Sequence, residues 1–350
     1  MSSASLATAT ASLETMRRAA VETYLKTART LWRGLLPADW WNDAVTVATA
    51  ARLTLIELEM IAQVRRAAVS YADASLRLAG YTPKGQNDRL VYPRDNTDPW
   101  TVQQRPADTY RHKAAGHPSI RPERWPDKDD DYYRTVQQWI KDSFDRLQAV
   151  AEMDATAAMN QAVSDRFLSS GVKQYRRVIH PELSRTGTCG LCVAASTRVY
   201  RMRDLLPLHG GCNCTISPIG AKDPGLDLTA DDLRALYRKA GGTSAARLRR
   251  TRYRVERHGE LGPTLVPADS TPSRAAPTYH RPDAATTRRQ TQRMLDHADT
   301  FAAAYRQVAR TGEEYAFRLD GKSYRFKPTP KLKQAQAWQE SLARQLRTRL

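Results

Sequence analysis

The sequence predicts an α+β fold that is mainly α-helical, with a small cysteine-rich module inside it. Long stretches place apolar residues every three or four positions, which is the spacing of amphipathic helices. Short alternating segments rich in β-branched residues interrupt these stretches and predict strands. All four cysteines of the 350-residue chain lie between Thr188 and Thr215. The pattern therefore predicts helices around one compact, cross-linked or metal-bound module.

Changes in composition and in apolar periodicity divide the chain into six predicted segments. We expect an N-terminal helical bundle or arm region over residues 1–80, an extended arm over 81–127, a helix plus a Cys/His-stapled module over 128–225, a basic helix–strand segment over 226–262, a linker over 263–283 and a basic helix–hairpin–helix tail over 284–350.

The N-terminal part should contain two helices. Apolar residues recur from Leu13 to Leu31 with helical spacing, and Gly34 and Pro37 end the first helix. Asp39 can cap a second helix over about 40–79, because its carboxylate can accept amide hydrogens of the first turn. Residues 81–127 are rich in Pro, Gly, Asn and Asp and lack periodicity, which predicts an extended excursion.

The middle and the end of the chain are predicted to contain both helices and strands. A helix over 132–168 should end at Gly171, a strand should follow in "VKQYRRVI", and 200–206 should be extended. Thr229 starts a short helix with an approximate capping box. A helix over 284–310 then precedes two aromatic strands joined by Asp320-Gly321, a pair that suits a type I′ turn, and a basic helix over 331–350.

The charge indicates anionic partners. The formal net charge is +18, and residues 221–350 hold 26 Lys/Arg against 14 Asp/Glu. Such an excess favours proximity to nucleic acid, although a basic solvated surface explains it equally well. The first residues lack a basic, apolar signal-peptide pattern, and no run is long and apolar enough to span a bilayer, so we expect synthesis in a reducing cytoplasm and no membrane.

Five residues of the cysteine window are candidate metal ligands. They are Cys189, Cys192, His209, Cys212 and Cys214. The C-x-x-C pair and the H-x-x-C pair are 16 residues apart, a normal loop for a structural Zn²⁺ site. Zinc takes four ligands, so one candidate is excluded, and Cys212 is slightly preferred over Cys214. Disulfides such as Cys189–Cys212 or Cys192–Cys214 remain the alternative, and buried free thiols are a further one.

No catalytic motif is evident, so we expect a protein that is not an enzyme. The chain has no P-loop, dinucleotide-binding, H-E-x-x-H or G-x-S-x-G pattern. His180 could pair with Ser184 in a hydrolase, but its position before Pro181 favours a local turn.

A basic run is the candidate nucleic-acid contact. Its members are Arg247, Arg249, Arg250, Arg252, Arg254 and Arg257. Arginine side chains are long enough to contact phosphate groups, and Tyr253, which lies among them in the sequence, could stack on a base. In a strand, Arg250, Arg252 and Arg254 would share one face. A charged edge strand that resists aggregation is the alternative.

The cysteine window resembles a known family. "RVIHPELSRTGTCGLCVAASTRVY" followed by "LLPLHGGCNCTISPI" is similar to the MuF-like minor capsid, or head morphogenesis, proteins of tailed bacteriophages, most closely to the actinobacteriophage type. "YRVERHGELGPTLV" also looks like the segment that follows in those relatives. The resemblance covers about residues 165–270, and the N-terminal helices carry no motif of the family.

The resemblance implies a structural virion protein inside the phage head, bound at the portal vertex in few copies. It would assist head assembly and contact or accompany the packaged double-stranded DNA. The implied partners are the portal protein and the major capsid or scaffolding protein. The five Cys/His residues would stabilise the module. Two alternatives stay open: a capsid maturation protease and a zinc-ribbon DNA-binding protein.

Overall fold

The computed structural model is mainly helical α+β, which confirms the predicted fold class. It describes residues 3–85, 90–180, 190–196, 199–202, 214–220, 231, 234, 253–267 and 279–350. The helices of these residues, in chain order, are α1 (Ser3–Arg33), a 3-10 turn (Pro37–Trp41), α2 (Asp43–Leu78), α3 (Pro99–Gln103), α4 (Arg105–Ala115), α5 (Tyr133–Ser169), α6 (Gly190–Ser196), α7 (Ala284–Thr311) and α8 (Leu332–Arg347).

The described strands form small sheets in which every pair is antiparallel. They are β1 (Gln174–Val178), β2 (Val199–Arg201), β3 (Thr215–Pro218), β4 (Tyr253–His258), β5 (Gly262–Pro267), β6 (Tyr315–Leu319) and β7 (Lys322–Phe326). One sheet has the order β2-β1-β3, and the pairs β4-β5 and β6-β7 are hairpins. Tyr175 of β1 lies opposite Tyr200 of β2, and Arg177 lies opposite Ile216 of β3.

The chain separates into two compact units that do not follow sequence order. Unit 1 comprises Met1–Ala20, Ile61–Asp95 and Glu152–Pro282, and unit 2 comprises Val21–Met60, Asn96–Ala151 and Asp283–Leu350. The unit boundaries fall inside α1, α2 and α5, so each of these helices contributes residues to both units. The six predicted segments follow changes of sequence pattern and are each continuous in the chain. Each unit, in contrast, is assembled from three separate stretches.

The long helices lie where the periodicity predicts them. The apolar stripe of α1 supplies Leu13, Tyr24 and Ala28 to the buried core. After α5, Gly171 has a positive φ of 79°, and the amide of Val172 bonds back to Phe167 O at 3.0 Å. This left-handed C-cap satisfies the last carbonyls of the helix and directs the chain into β1.

Residues 81–127 differ from the extended arm that the sequence predicts, because α3 and α4 lie within them. Asp98 caps α3 by accepting the amide hydrogen of Thr101 at 2.8 Å, and Pro99 takes a first-turn position where its missing amide hydrogen does no harm. Tyr110 of α4 and Trp100 of α3 are buried. The prolines of this stretch therefore start helices as well as breaking them.

The predicted helix–hairpin–helix over 284–350 is confirmed at the level of secondary structure. Asp283 caps α7, and Gly312 ends it in the left-handed conformation. Asp320 and Gly321 join β6 and β7 with φ values of 47° and 77°, as a type I′ turn requires. This part also carries core residues of unit 2: Phe301 and Phe326 are fully buried, with ring centroids 5.9 Å apart.

Candidate functional site

The structure describes two of the five candidate metal ligands. Cys192 lies in α6 and Cys214 immediately precedes β3; both are buried, with 1% and 3% of their surface exposed. Cys189, His209 and Cys212 lie outside the described residues. The described residues alone contain no group of three or more His, Cys, Asp or Glu side chains that could hold a metal ion. The four-ligand site therefore remains a prediction.

One hydrogen bond connects α6 to the three-stranded sheet, and it starts from one of two aromatic rings that stack within the sheet. Tyr175 of β1 and Tyr200 of β2 stack with their ring centroids 5.4 Å apart. The Tyr200 hydroxyl donates to Ala195 O of α6 at 2.8 Å. Since Cys192 lies in the same helix, these contacts position it against the sheet. Tyr200, which the sequence places among the family-like residues, thus has a structural role in this module.

A buried polar network holds β3 against α2 within unit 1. The Tyr71 hydroxyl lies 3.1 Å from both Thr215 Oγ1 and Ile216 O, and His180 Nε2 lies 2.9 Å from the same Thr215 oxygen. Ser75 Oγ lies 3.5 Å from Ser217 Oγ. We call this group the β3 seat; its members are Tyr71, Ser75, His180, Thr215 and Ser217.

The β3 seat is almost closed to solvent. All five side chains are buried, and Ser75 has no exposed surface. Burial raises the pKa of Tyr71, although hydrogen bonds to Thr215, Ser75 and Thr10 oppose the rise. The phenol therefore stays protonated at neutral pH and serves as a hydrogen-bond donor.

The chain after β3 makes a close backbone contact with the end of α2. The Tyr81 hydroxyl donates to Ile219 O at 2.9 Å. A Cβ on Gly220 would lie 2.1 Å from Ala79 O, a distance that no side chain can occupy. Glycine at 220 thus permits an approach that any other residue would block.

The His180–Thr215 contact has the polar atoms of a base and a hydroxyl nucleophile, but its surroundings favour a structural role. Thr215 is 6% exposed, and its hydroxyl is already engaged by both His180 and Tyr71. A nucleophile needs an open approach for the substrate and one activating base. Fully bonded buried networks, in contrast, fix the position of the elements that carry them. Ser184, the other hydrolase candidate, lies outside the described residues.

Two of the six candidate nucleic-acid residues, Arg254 and Arg257, belong to β4, which pairs with β5 along its whole length. The others, Arg247, Arg249, Arg250 and Arg252, lie outside the described residues, so the predicted shared face of 250, 252 and 254 remains a prediction.

Within unit 1, an ion-pair network holds the turn of this hairpin. Arg94 contacts Asp154 at 2.6 Å and Glu260 at 2.5 Å. The amide of Asp95 donates to Glu260 O at 2.8 Å, and the Asp95 carboxylate accepts the amide hydrogen of His280 at 2.8 Å. Because Arg94 and Asp154 are both buried, breaking this network would leave an unpaired charge inside unit 1.

The β3 seat and the Arg94 network were not predicted from the sequence. Tyr71 and Thr215 are 144 residues apart, and Arg94 and Glu260 are 166 residues apart. No local pattern pairs such positions. The available signals were a tyrosine on the apolar stripe of a long helix and alternating hydroxyl residues in the segment Thr215–Pro218.

Comparisons with known proteins give no further identification: no protein-family model, no curated protein and no solved structure matches this chain. Among the described residues, no helix combines the length and the apolar composition that crossing a membrane requires.

Proposed function

We propose that this chain is a structural minor capsid protein of a tailed bacteriophage, of the MuF-like type, located inside the head at the portal vertex. The observation that carries this proposal is the burial of two cysteines of the module: Cys192 and Cys214 are almost closed to solvent, and the β3 seat holds β3 against α2. Buried cysteines suit stabilisation of a module, because reactive cysteines need access. The family-like residues lie in this same module.

The proposed partners follow from the resemblance and from the charge. The portal protein and the major capsid or scaffolding protein would contact the chain during assembly in the host cytoplasm. Packaged double-stranded DNA is a further partner, since the net charge is +18 and residues 284–350 contain 14 Lys/Arg against 6 Asp/Glu. No membrane is part of the proposal.

A structural zinc ion is the proposed cofactor, held by four of Cys189, Cys192, His209, Cys212 and Cys214. The two cysteines that the structure describes fit this role, because ligands of a closed structural site are buried. Bound zinc would cross-link the module and stabilise its fold. Disulfides remain the alternative and would give the same mechanical effect.

A head-assembly assay with point variants separates the structural proposal from the protease alternative. Cells producing phage heads would carry Ser184→Ala, Cys189→Ala or His209→Ala, and both incorporation of this chain and processing of the major capsid protein would be measured. We expect Cys189→Ala and His209→Ala to reduce incorporation, and Ser184→Ala to change nothing. If processing stops while a variant is still incorporated normally, the chain is a protease and the structural proposal fails.

The zinc-ribbon alternative makes a different prediction. A free DNA-binding protein should bind duplex DNA in a salt-dependent way as an isolated chain and should not associate with the portal protein. Co-purification of the tagged chain with co-expressed portal protein, in nuclease-treated extracts, distinguishes the two. Binding that survives nuclease treatment supports the structural proposal, and duplex binding without portal association contradicts it.

A further inference from the structure

A partly open cavity lies between α7 and α8 in unit 2, with a volume of about 370 Å³. Two of its lining residues, Ala302 and Ala343, are 4% and 2% exposed and form its floor. The other lining residues are charged: Asp299 and Arg306 from α7, and Glu340, Arg344 and Arg347 from α8. We call this cavity the α7–α8 trough. Because alanine is short, the floor leaves room for a ligand between the charged side chains.

The two carboxylates of the α7–α8 trough already accept hydrogen bonds from side chains of α8. Both oxygens of Asp299 accept from Arg347 Nη2, at 2.6 and 2.9 Å. Glu340 accepts from Gln336 Nε2 at 2.9 Å. Arg344 follows Glu340 by four residues, a spacing at which two side chains can pair on a helix, yet these two form no ion pair. The charge of Arg344 is therefore not taken up by a carboxylate of the trough.

Arg306 and Arg344 are the unpaired cations of the trough. Both are exposed, and neither makes a hydrogen bond or an ion pair with any residue that the structure describes. Arg293 of α7, in contrast, bonds the buried carboxylate of Asp98 at 3.0 Å. One exposed arginine is hydrated and needs no partner. Two that line the same cavity from different helices can bond the same anion.

The basic charge extends beyond the trough. Residues 284–350, which contain both helices, hold 14 Lys/Arg against 6 Asp/Glu. A single small anion does not require such an excess, whereas duplex DNA carries one charge for about every 1.7 Å of its axis. The planar guanidinium fork also matches the oxygens of a phosphate group. The extended charge and the paired arginines together favour a phosphodiester backbone over a single carboxylate.

We propose that the α7–α8 trough binds a backbone phosphate of duplex DNA between Arg306 and Arg344. Each arginine donates to a different unesterified oxygen of the same phosphate. Such contacts position DNA without reading its sequence, so the binding should not depend on base sequence. The inference rests on the proposed function, in which packaged duplex DNA is a partner. It places a DNA contact outside the basic run of residues 247–257 that the sequence predicts.

The test measures binding of a duplex oligonucleotide to the full chain by fluorescence anisotropy at several sodium chloride concentrations. Arg306→Gln/Arg344→Gln should weaken binding about tenfold or more, because charge-assisted hydrogen bonds are lost. The slope of log K against log salt concentration should become shallower by about one, since one phosphate contact disappears. An unchanged affinity and slope would overturn the proposal.

A second double variant, Arg52→Gln/Arg134→Gln, is the matched control. Both arginines belong to unit 2, are exposed and have no partner among the described residues, and neither lines the trough. The control therefore removes the same charge from the same unit. It should leave the slope unchanged and weaken binding much less. Equal weakening by the two double variants would show a diffuse effect of net charge and overturn the proposal.

A stability measurement excludes unfolding as the cause of weaker binding. Since neither trough arginine bonds within the described part of the protein, Arg306→Gln/Arg344→Gln should unfold at the same urea concentration as the wild type. A clearly lower midpoint would show that the protein itself uses these arginines, and it would contradict the proposal.

Two further measurements separate another occupant and the proposed function from this inference. If Arg306→Gln/Arg344→Gln weakens binding of a poly-glutamate peptide but not of the duplex, the trough binds an acidic protein segment and the proposal fails. The same variant should enter phage heads as the wild type does. Absence of the wild-type chain from heads contradicts the proposed function alone, whereas normal entry with unchanged duplex binding contradicts the trough alone.

Discussion

Tyr71 of α2 and Thr215 of β3 are hydrogen-bonded in the buried interior of unit 1, with 3.1 Å between their hydroxyl oxygens. Thr215 directly follows Cys214 in the sequence, so this contact fixes the position at which the cysteine segment meets the long helices. The same threonine hydroxyl lies 2.9 Å from His180 Nε2. The stability of the cysteine module should therefore depend on a residue far from the module in sequence.

Replacing Tyr71 tests this dependence. Tyr71→Phe removes the hydroxyl and leaves Ile216 O without its donor, so the free energy of unfolding should fall by about 1–3 kcal/mol. Urea denaturation followed by fluorescence measures the change. Tyr315→Phe is the control, because Tyr315 is exposed on β6 and its substitution should change little. Equal effects of the two substitutions would contradict the role of the β3 seat.

The close approach at Gly220 gives a second stability prediction. In Gly220→Ala the new Cβ would lie 2.1 Å from Ala79 O, so the backbone must shift and unfolding should become easier by about 1–3 kcal/mol. At Gly116, the nearest atom to an added Cβ is 3.8 Å away and φ is −70°, so Gly116→Ala should be neutral or slightly stabilising. Thermal unfolding of both variants measures the difference, and an unchanged midpoint for Gly220→Ala would refute the contact.

We expect unit 2 to become less stable at alkaline pH because of Tyr110. Burial raises the pKa of Tyr110 to about 12, with the Arg121 charge opposing the rise. Below the ordinary pKa of about 10 the phenol is protonated in both states, and its contribution is complete. As the pH rises from there towards 12, only the unfolded state loses the proton, so the free energy of unfolding falls.

The variant Tyr110→Phe isolates that contribution. The Tyr110 hydroxyl is buried without a hydrogen-bond partner among the described residues, while its ring lies 4.9 Å from Trp40. Phenylalanine keeps the ring contact, so at pH 7 the variant should be as stable as the wild type or about 1 kcal/mol more stable. Its advantage should grow between pH 10 and 12 in urea titrations. An advantage that shrinks over this range would contradict the assigned pKa.

Zinc content and thiol reactivity test whether a zinc ion cross-links the cysteine module. We expect one zinc per chain by elemental analysis, thiols protected until a chelator is added, and lower stability after zinc removal. Cys212→Ser and Cys214→Ser should differ, since only one of these residues completes a four-ligand site with the other three candidates. Absence of both zinc and titratable thiols would instead establish disulfides.

The sequence predicted the long helices well because their signals are local and strong. Periodic apolar residues define α1, α2 and α5, and glycines at 80, 171 and 312 mark helix ends as expected. The pair Asp320-Gly321 predicted its hairpin turn for the same reason. Helices α3 and α4 were not predicted, because they are short and their prolines resemble those of a loop.

The candidate site was predictable only in part. Clustering of cysteines pointed to the module, and the structure finds Cys192 and Cys214 buried in it. The β3 seat joins residues more than 140 positions apart, so only the folded chain brings them together. The division into units likewise depends on long helices that contribute to both, which no local composition signal reports.

We propose that this chain belongs to the virion at the portal vertex. Quantitative mass spectrometry of gradient-purified heads, assembled with and without the portal gene, tests it most directly. We expect a few copies of the chain per portal-containing head and their loss from heads without portal protein. A chain that is abundant in the lysate but absent from purified heads, or present in equal amounts without portal protein, would contradict the proposed location.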